Sequence, residues 1–333
     1  MTDTITAQEL AHAAITSYTH AANPSAFLAV SDGNSWFTLP GVPGAIVYRA
    51  AGAYLVQFGG PFAPAGAATD ELLAGFCGFA AAQGRTVVAI QVQRSEAETY
   101  ARHGFTVNQV GASYAVDLAG FGLRGTRFMQ LRNKISRAFR AGLTVVESTV
   151  EEWQDAMRAL DRRWLGSKGE AVPRLEFLVG QYGGAMQRHR RLFVGLIDGE
   201  LVGYISYSPV YGSRPGWMHD LSRRVPDNTP GLMEAINRTA MERFQAEGVR
   251  WLHFGFTPFT SLDAGLEIAG HSPGFAMFMG LLWEHGEEVY PAKTQLAYKQ
   301  KWAPEVVLPE YVACQGAAGV AAFAHVFRAC NAF

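Results

Sequence analysis

The chain is short of the features that announce a function class. It has three cysteines in 333 residues, Cys77, Cys314 and Cys330, scattered along its length. Their spacing excludes a zinc signature and a disulfide framework. Buried small hydrophobes in a reducing compartment are the expected role. Neither sign of charge is in excess: 28 Lys and Arg against 29 Asp and Glu give a formal net charge of −1. That excludes a global attraction to nucleic acid or membrane, so any such pull must come from a local patch. There is no run of about 18 apolar residues, and no membrane-spanning helix is expected. The opening MTDTITAQELAHAAITSYTHAA has an early acid and no basic stretch leading into an apolar core, which reads against a secretory signal. A soluble, cytoplasmic chain is the expectation. Also missing are a Walker-type phosphate loop, a Gly-x-Ser-x-Gly elbow and a His-Glu-x-x-His helix.

What is present is apolar material in a regular order. Hydrophobic residues make up 49% of the chain, enough for a sizeable core, and the length allows two domains or one large one. Residues 7–22 read as a capped amphipathic helix. AFLAVS, SWFTLP, AIVYRA and AYLVQFG read as short strands of an antiparallel meander. A helix over TDELLAGFCGFAAAQG follows, capped by Thr69 or Asp70 and stopped by Gly84. Then come a strand at TVVAIQV, a short helix ending at Gly104 and a strand at FTVNQVGASYAVDL. The second half repeats the order. It has a strand at GLTVVEST, a helix at VEEWQDAMRALDRRWLGS and a hairpin turning at Asp198-Gly199. A strand at GWMHDLSRR, a long helix at PGLMEAINRTAMERFQAEG, a strand at RWLHFGF and a last strand near YVACQ complete it. The repeated order predicts two related α+β units, at 1–120 and 143–333, joined by a basic segment at 121–142.

Four stretches could carry chemistry. In FGLRGTRFMQLRNKISRAFRAGLTV, no acid occurs between Leu118 and Val146, while Arg124, Arg127, Arg132, Lys134, Arg137 and Arg140 crowd one helix. Such a face is either solvated or holds phosphates, because like charges repel unless an anion docks. In GWMHDLSRRVPDN, Asp220 could act as a general base and Arg223 or Arg224 could hold a phosphate or an oxyanion; the alternative is a salt-bridged strand end. On a regular strand Asp220 and Arg223 face opposite ways, so a bulge or strand end must separate them if they cooperate; without one, Arg224 is the better partner. In QLAYKQKWAPEVV, Lys299 and Lys301 share one side of an extended segment and either face water or flank an anion. FGFTPF, with Thr257, is a tight strand exit or a turn. An isolated His219 reads first as a structural histidine.

LRNKISRAFRAG, HDLSRRVPDNTPGLMEAI, FGFTPF and YKQKWAPEVVLPEYV occur in the order in which they occur in the C-terminal catalytic domain of the lysylphosphatidylglycerol synthase family, and the chain resembles that domain over roughly residues 25–315. The resemblance implies two tandem acetyltransferase-like units of α+β fold, with mixed sheets flanked by helices. It implies transfer of an amino acid from an aminoacyl-tRNA ester, with no cofactor beyond that co-substrate and no metal. By motif match, Asp220, Arg223, Lys299 and Lys301 are the expected catalytic residues, with Arg224, His219 and Thr257 on the substrate side. Arg127, Arg132, Lys134, Arg137 and Arg140 are expected near the tRNA. The sequence departs from the family pattern: no large transmembrane part is present, Ser222 replaces a more common Met, and PEVVLPEY lacks a tryptophan. These departures bear on the acceptor more than on the donor. A small-molecule amine or hydroxyl, for example in a specialised-metabolite (antibiotic) pathway, is expected, with a peripheral lipid as the other option. Two other readings stay open, an acyl-coenzyme A-dependent acyltransferase and a non-catalytic RNA-binding protein. The first expects a glycine-rich pyrophosphate loop, where this chain has RRVPDNTPGLM with one glycine, a proline and an acid.

Overall fold

The computed structural model describes residues 6–19, 23–167, 169, 175–226, 229–288 and 290–331. Its elements follow in chain order as α1 (Ala7–Tyr18), β1 (Ser35–Leu39), β2 (Val42–Ala51), β3 (Tyr54–Phe62), α2 (Ala67–Ala82), β4 (Thr86–Val92), α3 (Arg94–Arg102) and β5 (Phe105–Asp117). The second half has α4 (Met129–Arg140), β6 (Thr144–Ser148), α5 (Val150–Gly166), β7 (Arg191–Ile197), β8 (Glu200–Val210), β9 (Gly216–Arg224), α6 (Leu232–Ala246) and β10 (Trp251–Pro258). It ends with α7 (Pro273–His285), α8 (Ala292–Gln300), β11 (Val306–Gln315) and α9 (Val320–Ala329).

Each half is a meander of antiparallel strands whose last member pairs in parallel with the strand after the next helix. In the first half β1, β2 and β3 are antiparallel, and β3 runs parallel to β4. In the second, β6 to β9 are antiparallel and β9 runs parallel to β10. This is the tandem acetyltransferase-like α+β architecture. The halves do not form separate sheets. The order is β1-β2-β3-β4-β11-β5-β10-β9-β8-β7-β6, one sheet of eleven strands. The last strand of the second half, β11, lies beside β4, and the last strand of the first half, β5, lies beside β10. Those two strands pair with each other over ten residues, so each half completes its sheet with a strand of the other.

Local chemistry accounts for most elements. Thr6 caps α1 through a capping box: its hydroxyl accepts the Glu9 N–H at 3.2 Å and the Glu9 carboxylate accepts the Thr6 N–H at 3.0 Å. Such a cap stabilises a helix by about 1 kcal/mol. The β7–β8 hairpin turns at Asp198-Gly199, both with positive φ, 51° and 80°, as a two-residue turn of this hand requires. Helices cover both faces of the sheet. In the second half, α4, α6 and α8 pack on a core containing Phe193, Tyr207, Phe244 and Trp302, and α5 packs on Val194, Tyr204 and Leu221.

Several expectations fail locally. AFLAVS is a buried 3-10 turn over Ala26–Val30 instead of a strand, because a short apolar run without alternation carries no period to fix its conformation. Helix α2 begins at Ala67 with Gly66 as its cap, and the Thr69 hydroxyl donates to the Pro64 carbonyl at 2.9 Å. Lys299 does not sit on an extended segment; it lies in the last turn of α8, with Lys301 as the residue that ends the helix. The helices α7, α8 and α9 are not among those read from the sequence. Residues 227 and 228 of the VPDNTPG turn, and residues 20–22 at the end of the first expected helix, lie outside the described residues.

Candidate active site

The site begins with an irregularity in β9. Between β8 and β9 the register runs Ser206 to Leu221, then Tyr207 to His219, which leaves Asp220 as an extra residue without a partner. It is a β-bulge, and a bulge re-aims the side chains on either side of it. Asp220 turns inward and its side chain is 1% exposed. Across the bulge, Arg223 faces α5: its guanidinium lies 4.1 Å from the Trp164 ring centre and its Nε is 3.9 Å from Asp161. The bulge therefore undoes the parity that would set Asp220 and Arg223 on opposite faces.

Burial pushes the Asp220 carboxyl up to about 6; the Arg190 guanidinium and the Ser208 hydroxyl pull it down by less. Arg190 Nε lies 3.8 Å from Asp220 Oδ2, and the Arg190 side chain is fully buried. The Ser208 hydroxyl stands close by without a well-aligned hydrogen bond to the carboxyl. The backbone of Gly180 closes over the acid: a Cβ on Gly180 would lie 2.1 Å from Asp220 Oδ1, so only glycine fits there.

Past Met218 and His253 the parallel strands β9 and β10 stop pairing and separate. Asp220 lies on one limb of this V. The other limb turns at Gly255, whose φ is 65° and where an added Cβ would lie 3.1 Å from Met218 Sδ. Lys299 is anchored on that limb. Its ammonium donates to the Gly255 carbonyl at 2.8 Å and to the Phe256 carbonyl at 3.0 Å. Burial lowers Lys299 to about 7, against the pull of Glu310. Glu310, raised to about 7 by burial, accepts a hydrogen bond from the Ser113 hydroxyl. The strands β5 and β11 supply Ser113 and Glu310, so the exchanged strands contribute the acid that acts on Lys299. Thr257, completely buried on β10, keeps a hydroxyl with no hydrogen-bond partner. A separate cleft of about 220 Å³, lined by Glu267, His271 and Met279 among others, does not include Asp220.

A profile of the family described as "Phosphatidylglycerol lysyltransferase, C-terminal" matches residues 13–314. The chain belongs to this family. It is 25% identical over 228 residues to the phosphatidylglycerol lysyltransferase of Bacillus subtilis, a match spanning 67% of this chain and 26% of the relative. The chain thus spans about a quarter of the length of that curated relative. In three dimensions it is similar to a C-terminal domain described as that of a lysylphosphatidylglycerol synthetase from Agrobacterium fabrum, with a TM-score of 0.77 and 21% identity, covering 97% of this chain and 95% of the other. It is also similar to L-PGS from Bacillus licheniformis, with a TM-score of 0.76 and 20% identity, covering 97% and 96%. No helix among the described residues is long and apolar enough to cross a membrane.

In this member of the phosphatidylglycerol lysyltransferase C-terminal family, the residues singled out by motif separate into three places. Asp220 and Lys299 flank the V. Lys301 points elsewhere, because residues two apart on a helix diverge; its ammonium pairs with Glu234 of α6 at 2.9 Å and stacks on Tyr298. His219 lies with Tyr207, Phe254 and Tyr298 on the α6 side, where burial lowers it to about 4, and it is neutral at pH 7. Arg224 is half-buried opposite Gly203, on the same side as Leu232. Of the basic stretch, Arg132 holds the Leu123 and Gly125 carbonyls at 2.6 and 2.7 Å and acts as a brace for the loop before α4. Arg127 reaches the Ala303 carbonyl at 3.3 Å, and Arg140 the Ser136 carbonyl at 3.3 Å. Lys134, Arg137 and Arg140 are exposed on α4. That helix abuts the start of α6: a Cβ on Gly231 would lie 2.0 Å from the Lys134 carbonyl oxygen.

Sequence reading missed Arg190 and Glu310. In QRHRRLFVG, Arg190 has the look of one member of a solvated basic run. Glu310 left a usable signal, an acid in the interior of the apolar stretch VVLPEYVACQ. Among the described residues, no group of three or more His, Cys, Asp or Glu side chains could hold a metal ion.

Proposed function

We propose that this chain transfers an amino acid from an aminoacyl-tRNA ester to an amine or hydroxyl acceptor, with a small molecule or a lipid headgroup as the acceptor. The observation that carries the reading is the buried Asp220 at the bulge of β9, beside the buried Arg190, in a chain of this family. An aminoacyl ester is already activated, so the protein has to position two substrates, move one proton and offset developing charge. Asp220, ionised above about pH 6, takes the proton of the attacking group. Lys299 supplies positive charge on the opposite limb, where the ribose oxygen leaves. The exposed cations of α4 are the groups that would meet the phosphates of the tRNA acceptor end. The coenzyme A reading loses support at the N-terminus of α6. Acetyltransferases cradle pyrophosphate at that helix start, and here α4 packs against it.

The test is to incubate the protein with lysyl-tRNA, as the family's name directs, and with other charged tRNAs. Candidate acceptors are phosphatidylglycerol vesicles and a panel of small amines and alcohols. Loss of the aminoacyl ester that requires both protein and acceptor supports the reading. An ester that stays intact with every acceptor, together with turnover of acetyl-coenzyme A, would replace it.

A further inference from the structure

Arg190 is the least satisfied cation among the described residues outside the family's expected set. It precedes β7, where the 3-10 turn Ala185–His189 ends and its own N–H bonds to the Gln187 carbonyl at 2.9 Å. Its neighbour Arg191 bonds to both Glu147 and Glu247 on the protein surface. Arg190 goes the other way. Its guanidinium passes 4.9 Å from the Phe27 ring centre and ends beside Asp220, and none of its three side-chain nitrogens makes a hydrogen bond. Both Asp220 oxygens and the hydroxyls of Ser206 and Ser208 are likewise buried and without hydrogen bonds. A buried ion pair with its remaining donors and acceptors unmet is costly, and few folds keep such a group without a reason. The unmet atoms define a complement: one ligand group that accepts from a guanidinium, and one beside it that donates to a carboxylate.

An aminoacyl ester has that pair of groups in its carbonyl oxygen and in the approaching nucleophile's N–H or O–H. We propose that Arg190 is a catalytic residue that donates hydrogen bonds to the ester carbonyl oxygen and holds the tetrahedral oxyanion, beside Asp220 as the base. This rests on the aminoacyl-transfer reading above. The nucleophile forms a bond to the ester carbon, the carbonyl π pair moves onto oxygen beside Arg190, and the nucleophile's proton passes to Asp220. When the tetrahedral species collapses, that pair re-forms the carbonyl, the bond to the ribose oxygen breaks, and the leaving oxygen takes the proton from Asp220. Phe27 and Gly180 exclude water from the guanidinium and the carboxylate, where a fixed charge acts most strongly on a developing oxyanion.

The experiment measures ester consumption by the wild-type chain first, then by Arg190→Ala and Arg190→Lys, with thermal unfolding of each. A wild-type chain that consumes no ester counts against the transfer reading. With an active wild type, Arg190→Ala is expected to lower kcat by about 10²–10³ with little change in KM for the tRNA. Millimolar guanidinium should restore part of the loss, because it can enter the vacated space. The acidic limb of the pH profile should move to higher pH, since Arg190 holds the Asp220 carboxyl down. Arg190→Lys keeps the charge and loses the planar fork. It serves if the alanine variant does not fold, and at least a tenfold loss of kcat is expected of it. Full kcat in a folded Arg190→Ala or Arg190→Lys protein overturns the proposal. So does a loss in Arg190→Ala confined to KM, with no guanidinium rescue and an unmoved acidic limb.

Discussion

The two halves contain the same V and use it differently. In the first half, β3 and β4 stay paired over five residues, Tyr54 to Phe58, before they part. The gap beyond is closed by packed polar side chains. Gln57 bonds to the Tyr100 hydroxyl, and Glu96 lies so close to Gly60 that a Cβ there would sit 2.6 Å from its carboxyl. Glu96 also accepts the Gln93 N–H at 2.8 Å as part of the cap of α3. In the second half the parallel pairing lasts only three residues, and β9 beyond it carries Asp220, buried beside Arg190. The topology offers two openings. The first opening is filled by Gln57, Tyr100 and Glu96, whereas the strand beyond the second carries a buried acid beside a buried guanidinium.

The predictions bear on that contrast, from the largest expected effect downward. Asp220→Asn should lower transfer by about 10²–10⁴ with cooperative unfolding retained, measured as kcat in the ester assay. In the wild type, activity should fall as the pH drops through about 6, because the buried carboxyl then takes up a proton and cannot accept another. Lys299→Met should cost about 10²-fold in rate, since it removes charge from the other limb and frees two β10 carbonyls. Normal activity in either variant would erase the distinction between the two openings. Charge removal at Lys134 and Arg137 together should weaken tRNA binding by about tenfold at low salt and flatten the dependence of binding on salt, without changing melting temperature. At the closed opening, Glu96→Gln should leave transfer within about twofold, because glutamine can keep the α3 cap. Its effect should appear in stability. Burial raises the Glu96 carboxyl from 4.5 to about 7, so its contribution is present below 4.5 and lost as the pH rises through about 7. The variant should flatten stability against pH across that window, as followed by chemical denaturation.

Much of this was legible from residues alone. The repeated order of strands and helices, the Asp198-Gly199 turn and the capped first helix come from periodicity and turn chemistry, which are local. Asp220, Lys299 and the basic face of α4 could be singled out because their residue types and neighbours are unusual. The failures are non-local. The short apolar AFLAVS segment and the helix bearing Lys299 and Lys301 take their conformations from what they pack against. Arg190 has no distinguishing neighbourhood in the chain.

The sequence by itself determined the two α+β units and the family resemblance and singled out Asp220 as the candidate acid, because apolar period, turn residues and motif order are written in consecutive positions. Only the tertiary structure decided that β5 and β11 are exchanged, that Asp220 occupies a bulge, and that Arg190 and not Arg223 stands beside it. Strand exchange and bulges depend on hydrogen bonds between segments far apart in the chain. The partner of a buried charge depends on which distant side chain is sealed from water with it.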